Sequence, residues 1–321
     1  MNKTFIIGTR GSKLALFQSN LVKELLEKNY PKYNFVLKKI KTKGDILIDK
    51  ALDRKIDKGF FVNEIQKMLI NEEIHIAVHS LKDLPVESNE NLLISAILKR
   101  ANPQDVFISK NKKKLEDFTE NEIIGSSSVR RKAQLLKLNP KLNVIDIRGN
   151  VDTRIKKMER GEYDGLILAA AGIERLGLEN YITEFISNSD ILSAPGQGAI
   201  AVEIKKDNIQ LKKITSSIND EFSRVTTSTE RSFMKLMGGG CNYPIAALST
   251  VKNDKILIDG LVINLNGTKL IRSSAEDNIN NWHDLSISLA NTFYKKGAQA
   301  ILNEIDNENS WKFINNYYQR V

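Results

Sequence analysis

"EIIGSSSVRRKAQLLKL", residues 122–138, holds the fold in miniature. A short apolar run ends in a glycine and a cluster of serines, and a helix-like run follows. Strand, polar turn and helix make up the unit from which open α/β sheets are wound. The same unit stands at the start of the chain. "TFIIGTR" (4–10) reads as a buried strand. "SKLALFQSNLVKELLEKNY" (12–30) reads as a helix, with Leu14, Phe17, Leu21, Leu25 and Leu26 at helical spacing and Pro31 after its end.

Between these two stretches the alternation continues. "NFVLKKIKT" (34–42) is a strand, "FFVNEIQKMLINEE" (60–73) a helix, and "IHIAVHS" (74–80) a strand that opens into "LKDLP". After "KRANPQD" (99–105) the pattern restarts with "DVFISK", then "NVIDIRG" (143–149), the helix "NVDTRIKKMERG", and the strand and helix of "DGLILAAAGIERLG" (164–177). Two α/β halves built from parallel βαβ units are expected. "LSAPGQGAIAVEI" (192–204) is read as carrying the chain back into the first half. The remainder differs: a helix over 225–240 stopped by glycines, short strands at "AALSTV", "KILIDGLVIN" and "TKLIRSS", and a final helix over 282–304. That is a small α+β unit.

The composition excludes several classes. The chain is 41% apolar and 27% charged, as in a soluble globular protein. No apolar run approaches the roughly 20 residues of a membrane span. "MNKTFIIGTRGS" has no long apolar stretch of the secretory kind, and Asn2 stands where myristoylation needs glycine, so a cytoplasmic protein without a membrane anchor is expected. A net charge of +9 speaks of an anionic partner. No nucleic-acid recognition module is visible, so nucleic acid is not the expected partner. "GQGAIA" (196–201) is not a dinucleotide fingerprint, and no Walker-type loop is present. His75 and His79 are four apart but on a strand, so no metal site is expected.

Open sheets bind ligands at the carboxyl ends of their strands. Here those ends lead into "TRGS", "LKDLP", "SSSVRR" and "RGN". Serine at a helix start and arginine nearby suit anions, and arginine grips carboxylates with a bidentate fork. Four such junctions point to a polyanionic ligand in a cleft between the halves. Asp83, inside "LKDLP", is either a turn aspartate or an acid facing a cationic intermediate. Cys241, the single cysteine, follows three glycines in "KLMGGGCNYP" (235–244). It forms no intramolecular disulfide, and it is either an inert core residue or a thiol with a chemical task.

In order along the chain, "GTRGSKLALFQS", "AVHSLKDLPV", "IGSSSVRRKAQL", "IRGNVDTR", "GEYDGLILAAAGIERLGL", "APGQGAIAVE" and "GGGCNYPIAAL" resemble the porphobilinogen deaminases, or hydroxymethylbilane synthases. The resemblance covers nearly the whole chain. It implies that porphobilinogen is the substrate and that four molecules condense head to tail, losing four ammonias, to give 1-hydroxymethylbilane for haem and other tetrapyrroles. It implies a dipyrromethane cofactor joined to Cys241 through a thioether. The bare glycines would let a pyrrole pair approach the backbone. Asp83 matches the catalytic aspartate and Lys82 a carboxylate contact. Arg10, Ser12 and Gln18 match cofactor and substrate contacts. Ser128, Arg130 and Arg131 match contacts to the cofactor's acid groups, and Arg148, Arg154 and Arg175 match further carboxylate-binding arginines. Lys58 and Phe61 match a loop that covers the site.

The resemblance also implies two doubly wound domains like those of periplasmic binding proteins, flanking a cleft, plus a small α+β C-terminal domain. The expected boundaries are 1–99 with 199–217, 104–194, and 220–321, in a monomer. The chain departs from the family's pattern at Asp57 and Asn63 in the covering loop, and at Tyr243, where a smaller residue is common. The competing reading is a non-catalytic anion-binding module of the periplasmic-binding type. It needs neither Asp83 nor Cys241.

Overall fold

The computed structural model describes residues 3–41, 60–87, 89–240 and 243–307. The first lobe is built on a five-stranded sheet of β1 (Thr4–Arg10), β2 (Asn34–Ile40), β3 (Ile76–Ser80), β4 (Leu92–Ile97) and β10 (Ile200–Lys205), in the order β2-β1-β3-β10-β4. Helix α1 (Lys13–Asn29) and a later helix, 209–216, cover one face, where Phe5, Val22, Leu26, Leu211 and Ile214 meet in the core. Helix α2 (Phe60–Ile70) covers the other with Ile65 and Leu69. The lobe is therefore doubly wound.

The second lobe repeats the plan. Its strands are β5 (Asp105–Ser109), β6 (Ile123–Gly125), β7 (Asn143–Ile145), β8 (Gly165–Ala169) and β9 (Glu184–Phe185), in the order β7-β6-β8-β5-β9. Helices α3 (Val129–Leu138), α4 (Val151–Glu159) and α5 (Ala170–Glu174) lie on its two faces. The third unit is an antiparallel sheet, β11 (Ile245–Lys252), β12 (Lys255–Ile263) and β13 (Leu270–Asn278), whose core is filled by helices at 221–236 and 282–295. In chain order, 209–216 is α6, 221–236 is α7 and 282–295 is α8. Two doubly wound lobes flanking a cleft, with a small α+β unit beside them, is the architecture the sequence led us to expect.

Strand direction departs from that expectation. β1, β2 and β3 are parallel, as are β6, β7 and β8, but β10 runs antiparallel to β3 and β4, and β5 antiparallel to β8 and β9. The reason is connectivity. The chain passes between lobes after β4 and again before β10, at the ends of the strands that face the cleft. A strand entering there starts where its neighbours finish, so it must run against them. The two crossing segments touch: the Ala101 N–H donates to the Gly198 carbonyl at 3.2 Å. Gly198 has φ +87°, and a Cβ there would sit 2.5 Å from the Ala101 carbonyl oxygen, so only glycine fits.

Three element bounds also differ. α7 begins at Glu221 because Asp220 caps it, accepting from the Ser223 N–H at 2.8 Å. β7 ends at Ile145, because the next residues turn away and bond to Ser127 and Tyr163 instead. The last helix is not continuous over 282–304. It breaks after Lys295, with Gly297 at φ +90°, and helical residues resume over 298–307.

All three units meet at Glu230 on α7, which is fully buried. Its carboxylate takes a fork from Arg100 at 2.6 and 3.0 Å, the Gly196 N–H at 2.8 Å and the Ser249 N–H at 2.8 Å. It thus ties both crossing segments to the third sheet. Glu230→Ala would leave Arg100 and two N–H groups buried and unanswered. We expect it to cost about 3–5 kcal/mol, read from the urea midpoint, as for other broken buried pairs.

Candidate functional site

The strand ends that face the cleft deliver its side chains. β1 ends at Arg10, and Ser12 caps α1 by accepting from the Ala15 N–H at 3.2 Å. One turn into α1, Gln18 is buried and donates to the Ser80 hydroxyl at 2.9 Å, tying α1 to the end of β3. There the chain makes a single 3-10 turn, Leu81–Asp83. Buried Leu81 fixes this turn to the crossing segment, its N–H donating to the Ala199 carbonyl at 3.0 Å. Lys82 is half-buried and Asp83 exposed toward the cleft.

The opposite wall follows the same rule. Ser128 caps α3, accepting from the Arg131 N–H at 3.4 Å, so Arg130 and Arg131 lie in the helix's first turn. Their repulsion is answered by Asp105, the first residue of β5. Its two carboxylate oxygens take Arg130 at 2.7 Å and Arg131 at 2.6 Å. Burial would raise the Asp105 carboxyl, but the two guanidiniums overcome it and hold it well below the usual carboxylate range. Arg131 also donates to the Ile167 carbonyl at 3.0 Å, and Arg130 to that of Leu192. Arg154 on α4 donates to the Gly149 carbonyl at 2.8 Å. Arg175, just past α5, reaches the Gly198 carbonyl at 2.7 Å.

These groups converge on one cavity of about 410 Å³. Arg10, Ser12, Gln18, Lys82, Asp83, Ser128, Arg130, Arg131, Arg154 and Arg175 all line it. With Lys13, seven cationic side chains face two carboxylates, Asp83 and Asp152. Lys13 and Asp152 approach to 3.8 Å from opposite lobes. Burial pulls Lys82 down to about 8 and Arg154 to about 10, with Arg131 pushing both the same way and Asp83 opposing. A site that crowds positive charge at this cost is built for an anion. The Nε of Arg130 and of Arg131 are buried without an acceptor among the described residues.

Some expected residues fall elsewhere. Arg148 does not line the cavity, although Gly149 and Asn150 after it do. Phe61 belongs to the first turn of α2. Cys241, Lys58 and Asp57 lie outside the described residues. The residues before Cys241 correct the reading of its glycines. Gly238 has φ +65° and stops α7, and a Cβ on Gly239 would collide with Ile245. Gly238 is thus needed by the chain itself, and Gly239 packs against the Ile245 side chain. Of the three, Gly240 is the one that lines the cavity, and a Cβ there would meet nothing. His79 also lines the cavity, its Nε2 3.3 Å from a Glu203 carboxylate oxygen, and among the described residues no group of three or more His, Cys, Asp or Glu could hold a metal.

Three functional residues were missed. Gln197, fully buried, accepts from Lys82 at 3.2 Å and Arg131 at 3.4 Å, and donates to Asp105 at 2.8 Å and the Pro103 carbonyl at 2.7 Å. It joins the cations of both walls. Asp105 is the second. Arg231 on α7 is the third, donating to the carbonyls of Leu81, Leu84 and Pro85 at 3.2, 3.1 and 2.6 Å and so holding the Asp83 turn from outside. A polar residue inside "APGQGAIA", amid apolar neighbours, was the one available signal.

Known proteins resemble the chain over nearly its whole length. A family model described as "Porphobilinogen deaminase, dipyromethane cofactor binding domain" matches residues 5–213, and one for the C-terminal domain matches 222–295. The chain belongs to the porphobilinogen deaminase family. It is 43% identical to the porphobilinogen deaminase of Carboxydothermus hydrogenoformans, over 95% of this chain and 98% of that one. For Alkaliphilus metalliredigens the figures are 40%, 96% and 97%, and for Thermus thermophilus 41%, 94% and 99%. The porphobilinogen deaminases are enzymes, and the larger matched domain is the one that binds their dipyrromethane. Among solved structures, a probable amino-acid ABC transporter extracellular-binding protein from Bacillus subtilis aligns over 73% of this chain and 97% of its own, at 14% identity and a TM-score of 0.41.

Gln197→Leu keeps the volume of the residue and removes its amide. It strands donors and an acceptor in the network, so we expect a loss of about 1–3 kcal/mol in the urea midpoint. A wild-type midpoint would show that the network closes without it.

Proposed function

We propose that this chain condenses four porphobilinogen molecules head to tail, releasing four ammonias, to form 1-hydroxymethylbilane. The carrying observation is the convergence of seven cationic side chains from both lobes around Asp83, in a cavity whose wall includes Gly240, the residue before Cys241. Each substrate brings an acetate and a propionate, so every addition increases the negative charge to be held.

The dipyrromethane, joined to Cys241 through a thioether, would supply the pyrrole carbon to which units are added. The residues of this chain do the rest. Arg10, Lys82, Arg131, Arg154 and Arg175 bind the side-chain carboxylates, and Ser12, Ser128 and Gln18 orient them. Arg130, whose terminal nitrogens are taken by Asp105 and the Leu192 carbonyl, contributes through its charge. The Asp83 carboxylate accepts a pyrrole N–H. As the substrate's C–N bond breaks and ammonia departs, Asp83 stabilises the cation left on the pyrrole. In this reading Lys58 belongs to the covering loop, Phe61 lies in the first turn of the helix that follows it, and Arg148 is a further carboxylate-binding arginine. The domains run 1–99 with 199–217, 104–194 and 220–321, and the enzyme is a cytoplasmic monomer.

The intact mass of the denatured protein tests the proposal. An excess equal to one dipyrromethane, absent from Cys241→Ser, is expected. Asp83→Asn should carry the same excess yet turn over at least about 100-fold more slowly. A wild-type chain that acquires no pyrrole even with porphobilinogen present would overturn the reading.

Lys82 gives a pH test. Its folded pKa of about 8 lies below its ordinary 10.5. Between those values the unfolded chain binds the extra proton, so burying the ammonium destabilises the fold in full below pH 8 and ceases to as pH rises to 10.5. The carboxylate-binding charge is lost across the same rise. We expect kcat/KM to fall above about pH 8, and Lys82→Arg to move that limb upward. An unmoved limb would assign it to another group.

A further inference from the structure

Tyr243 is the first described residue after Cys241, and its contacts do more than fill space. Its N–H donates to the Gly240 carbonyl at 3.1 Å, drawing together the backbone on either side of Cys241 and Asn242. Its own carbonyl accepts from the Ile245 N–H at 2.8 Å. The ring lines the cavity with Met234, Gly240 and Ile245 and packs on the core of the third unit. The hydroxyl leaves the cavity and donates to Asp306 at 2.5 Å.

Asp306 is well anchored. It lies in the helical stretch 298–307, beside fully buried Ile305, and Ala298, Ile301 and Leu302 of the same stretch are core residues. A second tyrosine acts at the other end of the segment. Tyr294, on α8, donates to the carbonyl of Leu236, the last residue of α7, at 2.8 Å. Entrance and exit are thus each tied through a phenol to the C-terminal helices. An aliphatic residue at 243 could cover Met234 and Ile245, but it could not make this tie.

We propose that the Tyr243–Asp306 hydrogen bond is a strap that fixes the chain immediately after Cys241, making both residues positioning residues for the group joined there. The strap rests on the function proposed above. A carboxylate acceptor makes it a charge-assisted bond, stronger than a neutral one. That bond, with burial, pushes the Tyr243 phenol up to about 12, so the donor keeps its proton through any ordinary assay.

Tyr243→Phe keeps the ring and removes the strap, and Asp306→Ala removes it from the other side at an exposed residue. The two single variants and the double variant are made cofactor-free. Amide exchange is then followed over 240–245, together with the rate at which porphobilinogen adds the dipyrromethane mass. Each single variant should speed exchange there about three- to tenfold, the worth of one hydrogen bond, with β11–β13 unchanged. Each should slow loading several-fold, and the double should match the singles. Unchanged exchange would overturn the strap, as would faster exchange with loading at the wild-type rate. If Tyr243→Phe fails to fold, Asp306→Ala carries the same test. If the wild-type chain never loads, the deaminase reading fails, and the exchange measurement still decides the strap.

Discussion

Two arginines in the first turn of one helix repel each other, and Asp105 beneath them holds both. In a buried site that attraction is large, because little water screens it. One carboxylate against two guanidiniums still leaves a positive charge, and Gln197 passes the same anchor on to Lys82 without adding any. The network therefore does two things at once. It stabilises cations that would otherwise be too costly to bury, and it leaves their net charge unspent. A second carboxylate in place of Gln197 would settle the cations better and cancel the field on which anion binding depends.

The third unit carries little of the cleft's charge, yet much of its geometry rests on it. Arg231 gathers the carbonyls around the Asp83 turn, Glu230 joins the two crossing segments, and Tyr294 and Tyr243 hold the ends of the segment that carries Cys241. All four bond to other parts of the protein. The unit works as a frame that holds the Asp83 turn, the two crossing segments and the residues flanking Cys241.

Much of this was legible in the sequence because period and punctuation are local. The strand–turn–helix units and Gly238 as a helix stop follow from neighbours within a few positions. Asp83 and most of the arginines were placed by motif resemblance, and ten of the expected residues share one cavity. What was illegible is non-local. A hydrophobic run does not state its direction, so the antiparallel β5 and β10 were read as parallel. Asp105, Glu230 and Gln197 act on partners 19 or more positions away, and nothing in their surroundings marks them. Of the glycines before Cys241, Gly238 also serves the helix stop through its positive φ, a backbone demand that the run of glycines does not display.

The crossing of the chain between lobes also orders its synthesis. Every strand of the second sheet lies between Asp105 and Phe185, whereas the first sheet, begun at Thr4, lacks an inner strand until Lys205 has been made. Until then β3 and β4 have no β10 between them, and their apolar faces and open backbone edges must wait. The half that starts later is thus complete earlier. No nascent chain shorter than about two-thirds of the protein contains both walls of the cleft, so the cationic pocket exists only once that length has been passed.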